Sequence, residues 1–123
     1  MSRAHKYHAI PTTVDNIRFD SKKEAQHYQG LKLLQLAGAI RELELQPVFK
    51  LYAICHGCNG GGLCEVCHSE GRLFVAKYVA DFRYINQATG EQVTEDAKGF
   101  KTPVYRIKKR WTEAQYGITI TEV

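Results

Sequence analysis

The sequence predicts an α/β protein, a small mixed β-sheet flanked by helices, with a four-cysteine knuckle inserted between strands. Two helical segments with clear start and stop signals lie near the two ends, and the stretch between them is rich in β-branched and aromatic residues. Four cysteines, Cys55, Cys58, Cys64 and Cys67, fall within thirteen residues of that middle stretch. The order helix, strands, hairpin, helix, strand suits helices layered on a sheet.

Residues 1 to 20 mix turn formers with Tyr7, Ile10, Val14, Ile17 and Phe19, an extended arm or irregular lead-in. Ser21 can cap a helix that runs to Ala37; Tyr28, Leu31 and Leu34 give it an apolar stripe, and Gly38 stands where a glycine stop belongs. From Ile40 to Ala53 the apolar alternation reads as strand, interrupted or bent at Pro47. After the cysteine loop, LFVAKYVADFRYI, the turn signal QATG and EQVTEDAK predict a hairpin with strands at 73–86 and 91–98. Thr102 and Pro103 open a second helix through about Tyr116, with Val104, Ile107, Trp111 and Ala114 as its buried stripe. Gly117 stops it, and ITITEV closes the chain as a last strand.

With 44% hydrophobic and 24% charged residues over 123 positions, no repeat and no low-complexity tract, the composition predicts one globular domain with one core. The expected organisation is a single domain over 1–123, with the knuckle at 54–72 as an insertion within it. Between Leu51 and Cys64 the chain lacks Asp, Glu, Lys and Arg, but this stretch is glycine-rich and shorter than the ~18 apolar residues of a membrane span. The N-terminal MSRAHKYHAI has no apolar core of the kind a secretory signal needs. A soluble, cytoplasmic protein is the expectation.

Cys-x-x-Cys, five residues, Cys-x-x-Cys is a metal-ligand spacing, whereas a disulfide framework spreads its cysteines along the chain. Zinc is the expected ion, held by Cys55, Cys58, Cys64 and Cys67, and four thiolates close its shell, so the site reads as structural. His56 and His68 flank the knuckle as loop residues, and the H-x-E signature of zinc deaminases is missing. The formal charge of +4 drops to +2 if four thiolates hold one divalent zinc. Any attraction for a polyanion must therefore come from the local run Lys98 to Thr112, with six basic residues and no acid.

Asp81 lies in a strand-favouring run where aspartate is disfavoured, and a hairpin symmetric about Ala88 and Thr89 sets it opposite Asp96. Opposed carboxylates repel unless something positive lies between them. Lys98, two residues past Asp96, falls on the same face by strand alternation. Two acids and a lysine in one patch can hold a hard divalent cation and orient a water beside it; a solvated face with an Asp–Lys ion pair fits the spacing equally. Glu24 stands at the capping-box distance from Ser21 and shares a helix face with Tyr28, Leu31 and Gln35, which aims it at the sheet. Glu95 should point to the other face.

The stretches FDSKKEAQHY, IRELELQPVF, YVADFRY, VTEDAKGFKT and YRIKKRWTEAQYGI resemble the PD-(D/E)XK nucleases, and within them small phage- and prophage-encoded proteins regarded as junction-resolvase-like endonucleases. The resemblance implies a restriction-endonuclease-like core, a four-stranded mixed sheet flanked by helices, and Mg²⁺- or Mn²⁺-dependent hydrolysis of DNA. Carried over, Asp81 matches the metal-binding aspartate, Asp96 the second acid, Lys98 the motif lysine and Glu24 the acid of the first helix, while Gln46 matches a glutamine often seen near such sites. Ala80 replaces the proline of the namesake motif, and the cysteine loop is an insertion. CHGCNGGG and CEVCHSEGR also resemble the zinc modules of DnaJ-type chaperones, from which only the zinc-binding geometry is taken. The resemblance further implies branched DNA as substrate, a homodimer, and phosphate contacts by Arg106, Lys108, Lys109 and Arg110; if that helix makes no such contacts, the N-terminal arm with Arg3, Lys6 and Arg18 is the next place for the DNA path. Tyr105 and Trp111 are expected to be packing residues. The competing reading is a non-catalytic zinc-containing DNA-binding or adaptor protein that keeps a nuclease fold.

Overall fold

A computed structural model describes residues 10–62 and 64–123. Arg3, Lys6 and Tyr7 lie outside the described residues; Arg18 is exposed on the second strand.

A short hairpin, β1 (Thr12–Val14) and β2 (Ile17–Phe19), leads into helix α1 (Lys22–Leu36). Ser21 caps that helix by accepting from the Glu24 N–H at 3.1 Å, and Gly38 carries the φ of +83° that ends it. Then come β3 (Ile40–Leu45), β4 (Val48–Ile54), the cysteine loop, β5 (Arg72–Val79), β6 (Phe82–Asn86), β7 (Gln92–Asp96), α2 (Pro103–Tyr116) and β8 (Ile120–Glu122). A four-stranded sheet in the order β3-β6-β7-β8 is mixed, antiparallel except for the parallel β7–β8 pair, and β4 with β5 forms a separate two-stranded ribbon. The chain is thus a mixed α/β fold of small sheets flanked by two helices, with the cysteine cluster at the ribbon's end.

The expected 73–86 strand is two strands. It breaks at Ala80 and Asp81, and the partner chain breaks beside it at Gln46 and Pro47, so both leave one sheet for the other together. Leu45 opposes Phe82 and Val48 opposes Val79, which carries one register straight through the bend. Two hydrogen bonds hold the corner, Gln46 N–H to Asp81 O at 2.9 Å and Ala80 N–H to Pro47 O at 3.1 Å. Pro47 has no N–H to give, and a corner is where a ladder tolerates that. The second hairpin strand ends at Asp96, two residues short of the expected 98.

Buried apolar side chains form two clusters where one core was expected. Phe19, Ala25, Tyr28, Leu31, Ile40 and Phe82 fill the space between α1 and the four-stranded sheet. Phe49, Leu51, Tyr78, Ala80, Tyr105 and Ile120 join the ribbon, α2 and β8. The expected stripes need correction: Leu34 on α1 is exposed, and on α2 so are Val104, Ile107 and Ala114, while Tyr105 and Thr112 are buried and Trp111 packs partly buried. Among the described residues, helix α2 packs mainly on the narrow ribbon and β8, so it buries a thin line of side chains. No helix among the described residues is long and apolar enough to cross a membrane.

Phe82 is fully buried, so Phe82→Ala should cost about 3–5 kcal/mol of unfolding free energy, whereas Leu34→Ala should stay within ~0.5 kcal/mol. Urea unfolding of the two variants measures the difference, and equal losses would contradict the packing described.

Candidate functional site

The β6–β7 register places Phe82 opposite Glu95 and Arg83 opposite Thr94, the pairing that sets Asp81 against Asp96. Asp81 sits at the corner rather than within a strand. Its N–H donates to Glu95 O at 3.1 Å, its carbonyl accepts from Gln46, and its Oδ2 accepts from the Ala97 N–H at 2.7 Å. The side chain is therefore locked between the bend and the end of β7. Asp96, the last residue of β7, is fully buried; Tyr78 O–H donates to its Oδ2. Lys98 Nζ stands 3.2 Å from Asp96 Oδ1 but outside hydrogen-bonding geometry, so Oδ1 has an ion-pair partner and no hydrogen bond. Alternation past the end of β7 thus brings Lys98 to the same patch.

Glu24 is buried at the first turn of α1, close enough to feel the charge of Asp81. The three carboxylates do not form a tight cluster: among the described residues, the group of three or more candidate ligands gathered within 4.8 Å is the four cysteines. Gln46 contributes its backbone to the corner, and its side chain is exposed. Glu95 points to the opposite face as expected, where its Oε1 lies 2.7 Å from His27 Nε2 and its Oε2 accepts from Tyr84 O–H at 2.7 Å.

Burial, with Asp81 and Asp20 beside it, raises the Glu24 carboxyl to about 7. Burial, with Asp81 beside it, likewise pushes Asp96 up to about 7, against the opposing pull of the Tyr78 hydroxyl. Burial disfavours the Lys98 ammonium, yet Asp96, Asp81 and Glu24 outweigh it and hold the pKa above the ordinary lysine value. The patch combines crowded carboxylates that resist ionising together with a lysine that stays charged, an arrangement a divalent cation would relieve. The buried Asp96 Oδ1 with no hydrogen bond is where the donor set fits such an ion.

Two clefts meet at Lys98. One, of about 480 Å³, is bordered by Asp20, Ser21, Glu24 and Ala97; the other, of about 510 Å³, by Lys77, Tyr78, Thr102, Tyr105 and Lys108. Of the basic residues on α2, Lys108 lines the second cleft, Lys109 pairs with Glu113 at 3.2 Å, Arg106 Nε reaches Lys101 O at 3.4 Å, and Arg110 is exposed. Sequence alone does not point to Tyr78 and Tyr105, whose hydroxyls donate to Asp96 and Glu122; both look like ordinary strand and helix aromatics.

At the far end of the ribbon the four cysteines are free thiols. Cys55 Sγ lies 3.8 Å from Cys64 Sγ, and Cys58 Sγ lies 3.8 Å from Cys67 Sγ. With Zn–S bonds of ~2.3 Å, the edge of a tetrahedron is ~3.8 Å, so the sulfurs are spaced for one tetrahedral ion. N–H groups of Gly57, Gly62 and Gly71 point at Cys55, Cys58 and Cys67, the donors a cluster of thiolates requires. Gly62 leads in lowering the Cys58 thiol to about 7, while burial pushes Cys55 up to about 11. Gly71, at φ +77°, must be glycine, since a Cβ there would meet Gly60 O at 2.8 Å.

Free carboxyls titrate near ~4 in the unfolded chain, well below the folded values of about 7 for Glu24 and Asp96. Between those limits the metal-free native state binds more protons than the unfolded state, so both groups destabilise the fold progressively as pH rises from ~4 through 7. Asp96→Asn removes one of them and keeps an acceptor for Tyr78. Its stability relative to the parent, from urea midpoints, should increase across that window; a flat difference would contradict the raised pKa.

No curated protein and no solved structure matches this chain. Residues 4–121 match the model of a family described as protein of unknown function (DUF1064), and the chain belongs to that family.

Proposed function

We propose that this protein is a metal-dependent DNA endonuclease of the PD-(D/E)XK type, acting on branched DNA in the manner of a junction resolvase. The observation that carries the reading is Asp96: a fully buried carboxylate with an oxygen that makes no hydrogen bond, beside Asp81 and within 3.2 Å of Lys98. Two buried aspartates and a lysine held together against the cost of burying charge suit a site that takes up a cation.

Asp81 and Asp96, with the Ala97 carbonyl, would hold Mg²⁺ or Mn²⁺, and Glu24, set apart from the aspartates, would reach the ion through water. Such a cation supplies charge neutralisation at the phosphate and a lower pKa for water. Lys98 remains an ammonium, so its role is to donate to the attacking water or the non-bridging phosphate oxygen and to stabilise charge developing there. Tyr78 holds the Asp96 carboxylate in place through a neutral donor, which leaves the site's negative charge intact. Attack of water on phosphorus in line with the 3′-oxygen breaks the P–O3′ bond and leaves a 5′-phosphate and a 3′-hydroxyl. Resolving a four-way junction takes two such cuts, so two copies of the chain are required. Zinc in the Cys55, Cys58, Cys64 and Cys67 cluster would be structural, because four sulfurs leave it no open position. The free thiols suit a reducing cytoplasm.

Asp81→Asn and Asp96→Asn should each abolish Mg²⁺-dependent cleavage of a four-way junction while leaving DNA binding largely intact, and Lys98→Met should lower the single-turnover rate ~10²- to 10³-fold. Undiminished cleavage by both aspartate variants would remove the assignment.

Elemental analysis should find one zinc per chain, lost in Cys58→Ser. Strand cleavage restored by zinc alone, without Mg²⁺, would show that the cysteine site is catalytic and the structural reading wrong.

A further inference from the structure

The β4–β5 ribbon has two unlike faces. Phe49, Leu51 and Tyr78 are buried toward α2. The other face carries four opposed pairs, Val48 with Val79, Lys50 with Lys77, Tyr52 with Phe74, and Ile54 with Arg72. Lys50, Lys77 and Arg72 are exposed, and Phe74 is 59% exposed. Neither strand contains an Asp or Glu, and among the described residues neither lysine has a carboxylate within ion-pair distance. Like charges directly opposed on a ladder destabilise it unless an anion lies across them. Next to them the Arg72 guanidinium sits 3.7 Å from the Tyr52 ring centroid, and Phe74 meets Tyr52 edge-on at 76°.

We propose that this outer face binds a strand of DNA, with an unpaired base stacking on Phe74 and phosphates met by Lys50, Lys77 and Arg72. The choice of DNA as the polyanion rests on the nuclease reading; the chemistry of the face does not. Cations interleaved with aromatic rings are what single-stranded nucleic acid requires, since every base offers a π-face and every linkage a negative charge. A second copy of this chain fits badly, because a two-fold contact would bring three cations from each copy together on a face whose strands carry no acid. The face is continuous with the candidate site: Lys77 also lines the cleft that opens on Lys98 and Lys108. From Val79 to Arg72 the ribbon spans ~23 Å, room for several nucleotides of an unpaired strand. It is also preformed. Gln115 clamps it to α2, donating to Lys50 O at 2.9 Å and accepting from the Tyr52 N–H at 3.0 Å, while Tyr116 O–H donates to Lys50 O at 2.8 Å.

The test uses zinc-loaded full-length protein and fluorescence anisotropy without added Mg²⁺, on a labelled 16-nucleotide single strand, a 16-base-pair duplex and a four-way junction. Phe74→Ala should weaken single-strand binding about 5- to 150-fold, the range expected for one lost base stack, with an unchanged salt slope, and Phe74→Trp should restore it. Lys50→Gln with Lys77→Gln should lower the log–log salt slope by ~1.4, two phosphate contacts on a single strand. Circular dichroism and zinc content confirm folding of each variant. Hydrolysis of bis(p-nitrophenyl) phosphate with Mn²⁺ reads the carboxylate site without the ribbon and should be unchanged in all of them. If DNA binding falls as expected in a protein that hydrolyses neither DNA nor this small ester, the surface stands and the nuclease reading fails. Unchanged affinity and slope for all three DNAs overturn the surface, as does a loss of self-association in sedimentation with DNA affinity intact, which would make the face an interface between copies.

Discussion

The corner at Asp81 is the constraint on which the rest of the molecule depends. Two strands leave one sheet and enter another side by side without losing register, and each backbone N–H at the bend finds a partner across it or on β7. Asp81 gives its N–H to the sheet, its carbonyl to the opposing strand and its carboxylate to the Ala97 N–H. The residue that anchors the bend is thereby also the one held against Asp96. A bend built this way cannot shift by one residue, because every side chain on both sheets would change face.

Tyrosines partner several acids here, buried ones such as Asp96 and Glu95 and exposed ones such as Asp15 and Glu122. Tyr28 donates to Asp15, Tyr78 to Asp96, Tyr84 to Glu95 and Tyr105 to Glu122. A phenol satisfies a lone pair without neutralising the charge, whereas an arginine would do both. Burial in turn raises the pKa of Tyr78, Tyr84 and Tyr105, so these hydroxyls remain donors. Asp96 is the case in which this is incomplete: one oxygen takes the tyrosine, the other only the nearby lysine. Burial makes ionising it costly and the neighbouring Asp81 adds to that cost, while Tyr78 and Lys98 offset it in part, which is why this carboxyl titrates high.

Much of this was legible in the sequence, for local reasons. Helix ends were marked by Ser21 and Thr102, whose hydroxyls accept from the first turn, and by Pro103, Gly38 and Gly117, which act through their own backbone. The QATG turn fixed the hairpin register, and from it the opposition of Asp81 and Asp96. What the sequence hides are facts about distant packing. VADF reads as unbroken strand because Ala80 and Asp81 bend only in answer to Gln46 and Pro47. Val104 and Ile107 make a plausible stripe, yet α2 rests on a ribbon too narrow to cover it, and the buried positions fall to Tyr105 and Thr112. Nor does any spacing show that Tyr78 turns its hydroxyl to Asp96, or that Arg72 lies over Tyr52.

A two-stranded ribbon is marginal by itself, since three or more strands or a packed helix are needed for independent stability. This ribbon has three restraints along its length: the corner at one end, Gln115 and Tyr116 at the middle, and the cysteine cluster at the tip. At the tip the Cys55 N–H donates to Gly71 O, so the cysteine that opens the knuckle also makes the last rung of the ladder. The bulge between Leu51 and Tyr52 leaves one residue unmatched, and without a fixed tip the outer pairs could slip past it. An ion held by the four sulfurs would pin the register from the far end as the corner pins it from the near one, and the order of charged and aromatic pairs between them follows from both.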